Sequence, residues 1–139
     1  MSWRLSCSLI AFVFILFIAA CQSDESLEFK RYYSSGALVY QQHCQNCHGS
    51  NGEGLSALIP PLSDSTYLKQ NSGLLPCYIK NGLKGHITIK GKIFDDAMPA
   101  NDLSPVEIAQ VLTYIGNSWE NKLSTINEQS VQKNLAACK

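Results

Sequence analysis

Two cysteines and a histidine stand within five residues of this 139-residue chain, in the order Cys44-Gln45-Asn46-Cys47-His48. Three chemistries use a pair of thiols at this spacing. A thioredoxin-like redox pair needs a strand–helix–strand context, and the flanking residues are not strand-like. A structural zinc site needs a second pair of ligands at similar spacing, and the sequence contains none. Both alternatives are therefore disfavoured.

The third chemistry is covalent attachment of haem, in which each thiol adds to a vinyl group and the histidine binds the iron. Residues three apart share one side of a helical turn, so Cys44 and Cys47 can reach the same porphyrin edge. His48 then points across the ring plane at the iron. The sequence predicts one haem c, bound through Cys44 and Cys47, with His48 as a metal ligand.

The N-terminus carries an export signal. Arg4 precedes an unbroken apolar run of twelve residues, from Leu9 to Ala20. As a helix this run would rise about 18 Å, well short of the roughly 30 Å hydrocarbon core of a bilayer. Its end, Ile18-Ala19-Ala20-Cys21, resembles the bacterial lipobox. We expect a signal peptide over residues 1–20 and a lipid on Cys21; the alternative is ordinary cleavage nearby, with Cys21 a spare thiol.

Length and charge narrow the possible functions further. Eleven Lys and Arg residues balance eleven Asp and Glu residues, which argues against a nucleic-acid-binding protein. A chain of this length has no room for a two-domain enzyme. Because residues 22–33 are poor in apolar side chains, we expect a solvated tether over residues 21–33. A folded domain over 34–121 and a polar tail over 122–139 complete the expected organisation.

Further motifs flank the cysteine pair. The run from Gly36 to Tyr40 precedes it, and Pro60-Pro61-Leu62 begins twelve residues after His48. With these motifs, the segment from about residue 34 to residue 119 resembles a small, single-haem cytochrome c of the first class. The resemblance implies an all-α fold with three to five helices around one covalent haem and at most a minor β-hairpin. It also implies that the Pro60 carbonyl accepts the Nδ1 proton of His48 and so orients the ring.

The resemblance implies a second axial ligand as well. Met98 belongs to a Met-Pro pair fifty residues after His48, where this family has its distal thioether. The alternative for a lone methionine is the filling of a gap in the core. The two other histidines are weaker candidates. His43 adjoins Cys44 on the same helical turn and cannot reach the far face of a haem, and His86 is expected to be exposed or near the haem edge.

The second half of the chain contains the clearest secondary-structure signals. Ser104-Pro105-Val106-Glu107 is a capping box with proline at the first helical position. The apolar residues 108, 111, 112 and 115 follow at helical spacing, and this face is expected to cross the first helix near Gly36 and Tyr40. A short helix over residues 71–81 and a small hairpin within residues 87–94 are also expected.

Cys77 and Cys138 remain without a role in the haem site. They form an even pair in a chain that is expected to enter an oxidising compartment. We predict a disulfide that joins the polar tail to the domain. The alternative is two separate thiols.

Iron ligated on both sides has no open coordination position, which favours an electron carrier over an enzyme. The alternative is a haem sensor or enzyme subunit in which Met98 is displaced by another ligand. Stretches between Gly82 and Trp119 also resemble haem domains attached to dehydrogenases or copper nitrite reductases. The expected location is the cell envelope, lipid-anchored to a bacterial membrane, with the haem domain facing the periplasm or the cell exterior.

The expected partner is a dehydrogenase, reductase or oxidase with which this protein exchanges electrons. The protein itself is expected to be a monomer or a subunit of a complex. Five lysines cluster in the middle of the sequence and are candidates for guiding an acidic partner: Lys69, Lys80, Lys84, Lys90 and Lys92. Asp95, Asp96 and Asp102 flank Met98. The alternative is a solvated surface with no role in docking.

Overall fold

The computed structural model describes residues 23–138 of the chain. The predicted signal peptide over residues 1–20 and the lipid-bearing Cys21 lie outside the described residues. All core residues named below belong to the compact unit Tyr32–Lys139.

Six helices and a two-stranded sheet make up the described part of the chain. They are α1 (Ser23–His43), α2 (Gln45–His48), α3 (Ser65–Gln70), α4 (Leu75–Asn81), β1 (Ile87–Ile89), β2 (Lys92–Phe94), α5 (Pro105–Ile115) and α6 (Glu128–Ala136). The expected class, a helical domain with a minor hairpin, is confirmed. The number of helices exceeds the expected three to five by one.

Helix α1 begins at Ser23, so residues 23–33 of the tether expected over residues 21–33 are helical. Tyr32, two residues before the expected start of the domain, is buried and joins the core. Glutamate, leucine, lysine and arginine, which dominate residues 25–31, are good helix formers. A low apolar content therefore did not prevent helix formation.

Helix α5 is the centre of the core and begins as its sequence predicts. The Ser104 hydroxyl accepts the Glu107 backbone N–H at 3.5 Å, while the Glu107 carboxylate accepts the Ser104 backbone N–H at 2.8 Å. The apolar face is fully enclosed: Ile108 and Val111 are both 0% exposed. Each such side chain contributes about 1.5–3 kcal/mol through its removal from water.

Helices α1 and α5 meet at Gly36, as expected. A Cβ at this position would overlap the backbone oxygen of Gln110. Beside the crossing, the ring of Tyr40 packs in a tilted arrangement against Tyr114 and Trp119, at centroid distances of 5.4 and 5.1 Å. The missing side chain at Gly36 lets the two backbones approach, and the rings fill the space beside them.

The hairpin forms as expected, and the neighbouring helix is shorter than expected. Strands β1 and β2 pair antiparallel with Thr88 opposite Ile93, and the turn residues Lys90 and Gly91 both have positive φ, at 51° and 75°. Both values suit a tight hairpin turn. The helix expected over residues 71–81 begins only at Leu75, because the Asn71-Ser72-Gly73 sequence forms a turn and Pro76 occupies the first helical turn.

The polar tail expected over residues 122–139 contains helix α6, which packs on α4 and α5. The overall polarity of the segment does not indicate this helix. Val131 and Leu135 lie four residues apart on one face, and Val131 is 0% exposed. Cys77 in α4 and Cys138 after α6 form a disulfide, with a Cα–Cα distance of 5.7 Å.

Candidate functional site

A deep apolar cleft opens between the cysteine motif, the hairpin and helices α4 and α5. About 940 Å³ of space in and around it is free of protein atoms, and part of this space is open solvent. Its lining includes Cys44, Cys47, His48, Pro60, Pro61, Leu62, Leu68, Leu75, Ile79, Leu83, Ile87, Ile89, Met98, Leu112 and Ile115. A large apolar group fits such a lining.

The single turn of α2 presents both thiols to this cleft. The backbone N–H groups of Cys47 and His48 donate to the Cys44 carbonyl at 3.1 and 2.9 Å. Cys44 is half-buried and Cys47 exposed, and neither thiol is in a disulfide. Burial, and then the neighbouring Cys47, raise the pKa of Cys44 to about 11. Two free thiols on one edge of an apolar cleft fit thioether attachment of a haem.

His48 is buried at the inner end of the motif. Its Nδ1 lies 3.1 Å from the Pro60 carbonyl oxygen. A carbonyl can only accept, so Nδ1 carries the proton and Nε2 keeps its lone pair. Burial lowers the pKa of His48, against the opposing effect of the Pro60 hydrogen bond. The hydrogen bond expected from the sequence is present, and it sets the tautomer that binds a metal through Nε2, while burial favours the neutral imidazole.

The segment that carries Pro60 is held to the cysteine motif by backbone hydrogen bonds. The Gly54 N–H donates to the His48 carbonyl at 2.8 Å, and the Leu62 N–H donates to the Gly52 carbonyl at 2.8 Å. A side chain at Gly54 would overlap the Ile59 carbonyl, and its φ of 70° favours glycine. The loop that returns from the motif to Pro60 therefore has a defined path.

Met98 lines the same cleft and is half-buried. Its backbone forms two hydrogen bonds with Leu83, at 3.0 and 2.9 Å, which fix its place beside the hairpin. His43 lies exposed at the edge of the cleft. His86 is exposed and is absent from the cleft lining. Of the three histidines of the chain, only His48 is buried.

Two tyrosines in the cleft lining were not anticipated from the sequence. Burial raises the pKa of Tyr67, and the nearby Tyr78 adds to this effect through its charge and a hydrogen bond. Tyr67 belongs to α3, whose first turn is capped by Asp64 through bonds to Thr66 N and Tyr67 N at 2.9 and 3.1 Å. Aspartate before a helical turn is a standard cap, and this signal could have placed Tyr67.

Other kinds of site are not found in the described part of the chain. Within residues 23–138, no three His, Cys, Asp or Glu side chains come together as a metal site. None of the helices described is both long and apolar enough to cross a membrane.

Comparisons with known proteins show the family of this chain. A family model described as cytochrome C oxidase, cbb3-type, subunit III matches residues 32–115. A cytochrome c-552 from Thermus thermophilus is 32% identical over 117 residues, which cover 81% of this chain and 71% of that protein. A second cytochrome c-552 from the same species is 34% identical over 91 residues, covering 62% of this chain and 69% of that protein. The chain belongs to the cytochrome c family of electron-transport haem proteins.

Proposed function

We propose that this protein is an electron carrier with one haem c, attached through Cys44 and Cys47 and ligated by His48 and Met98. When bound, haem c supplies a one-electron couple between ferric and ferrous iron. The observation that carries the proposal is the hydrogen bond between His48 Nδ1 and the Pro60 oxygen. It holds the imidazole in one orientation and in the tautomer with a free Nε2, beside two free thiols, while burial favours the neutral ring.

The remaining lining residues support transfer of electrons over chemistry at the metal. Met98 lines the same cleft as His48 and would supply a neutral thioether as a second ligand, which favours ferrous iron. Leucine and isoleucine side chains, among them Leu112 and Ile115, keep water from the interior of the cleft. An apolar wall also disfavours the extra charge of the ferric state, so both effects raise the reduction potential.

The test uses the full chain with haem attached. We expect a reversible one-electron couple and, in the oxidised protein, a far-red sulfur-to-iron charge-transfer band. Met98→Ala should abolish the band and lower the midpoint potential. His86→Ala is the matched control, because His86 is the exposed competing ligand, and it should change neither.

Two results would contradict this ligation. One is an oxidised wild-type spectrum without the band. The other is a wild-type protein that binds added imidazole or carbon monoxide as readily as Met98→Ala does, which would support the sensor or enzyme alternative.

The proposal includes a place in the cell envelope, with a lipid on Cys21 that anchors the carrier to a bacterial membrane. Two or three acyl chains, at about 0.8 kcal/mol for each buried methylene, would hold it firmly. The wild-type protein should partition into a detergent phase, and Cys21→Ala should shift it to the aqueous phase. Cys7→Ala lies in the predicted signal peptide and serves as the control.

The proposed partner is a dehydrogenase, reductase or oxidase with an acidic surface near its own redox centre. Lys84, Lys90 and Lys92 are exposed on and beside the hairpin that forms one wall of the cleft. Lys80 is a weaker candidate for this surface, because its Nζ lies 2.7 Å from Asp102. The three lysines near the hairpin are therefore the ones to test.

A further inference from the structure

Asn121 is a buried amide that neither the cysteine motif nor the iron ligands explain. It is 4% exposed, and its Nδ2 donates to two backbone carbonyls, those of Leu62 and Ile115, both at 2.9 Å. Ile115 is the last residue of α5, and Leu62 follows Pro60 by two residues. A single amide group therefore joins the centre of the core to the segment that carries the acceptor of His48.

The backbone before Asn121 has an uncommon conformation. Trp119 and Glu120 both have positive φ, at 52° and 76°, a region that residues with side chains seldom adopt. The Asn121 N–H closes this turn on the Ser118 carbonyl at 2.9 Å. The turn reverses the chain just after α5 and directs the Asn121 side chain into the core.

The same turn supports the loop from a second side. The ring of Trp119 lies against Gly52, where an added Cβ would come within 2.5 Å of it. The Gly52 carbonyl in turn accepts the Leu62 N–H at 2.8 Å. Trp119 thus contacts the chain at residue 52, which follows His48, and Asn121 holds it at residue 62, which follows Pro60.

We propose that Asn121 is a positioning residue for the proximal side of the haem site. By fixing Leu62 it sets the place of the Pro60 oxygen, and through that hydrogen bond the orientation and basicity of His48. The inference rests on the proposed function, since it concerns His48 as an iron ligand. A stronger hydrogen bond from Nδ1 makes the imidazole a better electron donor to the iron and stabilises the ferric state. Loss of Asn121 should weaken this hydrogen bond and therefore raise the midpoint potential.

The test compares Asn121→Leu with Asn117→Leu in the haem-loaded full chain. Asn117 is the matched control: it is half-buried, and its Nδ2 donates to the Thr113 carbonyl in α5 at 2.8 Å. Asn121→Leu should raise the midpoint potential. It should also speed exchange of the His48 Nδ1 proton, followed by NMR in the reduced protein, about fivefold or more, the factor that one hydrogen bond of ordinary strength supplies. Asn117→Leu should change neither.

Asn121→Ser is the second variant, to be used if the leucine variant does not accumulate in folded form. The wild-type protein provides a further measurement that needs no substitution. If Asn121 holds the loop, the Asn121 side-chain amide and the His48 Nδ1 proton become exposed in one opening event and show equal protection. Unequal protection would overturn the inference.

The outcomes separate this inference from the proposed function. A wild-type chain with no reversible one-electron couple overturns both. A wild-type couple that is unchanged in the Asn121 variants overturns the inference alone. An equal shift in Asn117→Leu also overturns it, because the effect would then reflect loss of stability and not the position of Pro60.

Discussion

A side chain at position 36 has no room, because its Cβ would overlap the Gln110 backbone oxygen and approach the Tyr114 Cβ to 2.9 Å. Gly36→Ala should therefore lower the free energy of unfolding by about 3 kcal/mol, the upper range for overpacking of a rigid core. Urea unfolding of the haem-loaded protein measures the change.

Gly73→Ala is the control, because an added Cβ there meets no atom within 4 Å and its φ is not in the left-handed region. It should leave stability unchanged or raise it by up to about 1 kcal/mol. Similar losses in both variants would show that α1 and α5 do not depend on close contact at Gly36.

Individual residues of the site differ in how far the sequence predicted them. The hydrogen bond between His48 and Pro60 was expected from the family resemblance, which implies a prolyl carbonyl acceptor twelve residues after the histidine. Asn121 could not be expected, since its acceptors Leu62 and Ile115 are 59 and 6 residues away and meet only in the folded chain. Sequence patterns describe local geometry well and long-range hydrogen bonds poorly.

At the scale of elements, the capping box of α5 couples helix stability to pH. Hydrogen bonds from the Ser104 side chain, and then from its backbone, lower the pKa of Glu107 below its usual 4.5. Because the folded-state pKa is the lower one, this contribution is present above about pH 4.5 and is lost as the pH falls through the folded-state value. Ser104→Ala should lower the free energy of unfolding by about 1 kcal/mol at neutral pH and by less near pH 3.

Asn127→Ala is the matched control for this prediction. Asn127 caps α6 through Ser130 N at 2.9 Å, with no carboxylate at the third helical position. Asn127→Ala should lower the free energy of unfolding by the same amount at both pH values. Denaturant unfolding measures this loss for each variant at each pH. If the losses of the two variants depend on pH in the same way, the capping box does not couple helix stability to pH.

The disulfide fixes α6 to α4, whose residues Leu75, Tyr78 and Ile79 line the cleft. It closes a loop with a sequence separation of 61, so its loss should lower the free energy of unfolding by about 4 kcal/mol. Unfolding of the wild-type protein with and without a thiol reductant measures this loss.

A double variant, Cys77→Ser with Cys138→Ser, is the control and should unfold alike with and without reductant. Alkylation provides the direct check of the bond. Two labels on Cys77 and Cys138 in the unreduced protein would show that no bridge exists.

Elements with a strong local signal were predicted, and elements without one were missed. The capping box and the hairpin are encoded by a few adjacent residues, and both formed where expected. Helix α6 was missed because only two of its residues, Val131 and Leu135, face the core, and that face is stable only against α4 and α5. Tertiary packing, and not local propensity, makes it a helix.

For the whole molecule, balanced charge removes long-range steering and leaves local charge to guide an encounter. Close to the cleft, Lys84, Lys90 and Lys92 project from one wall, and Lys92 also donates to the Ser56 carbonyl at 3.1 Å. Electron transfer falls steeply with distance, so a partner must approach the open side of the cleft near Cys44 and Cys47. We propose that these three lysines guide an acidic partner to that side.

Replacement of all three lysines by glutamine should slow second-order reduction by an acidic redox partner at low ionic strength. The difference from wild type should fade as salt rises, because the Debye length falls from about 30 Å at 0.01 M to about 3 Å at 1 M. Lys122→Gln with Lys133→Gln is the control: both lysines are exposed, and neither belongs to the hairpin or its flanking residues. Stopped-flow kinetics over a salt series measures the effect.

If the triple variant and the wild type react alike at low salt, the lysines do not recruit the partner. Confinement to a membrane through Cys21 would then supply the encounter frequency, since tethering raises the local concentration without any charged surface.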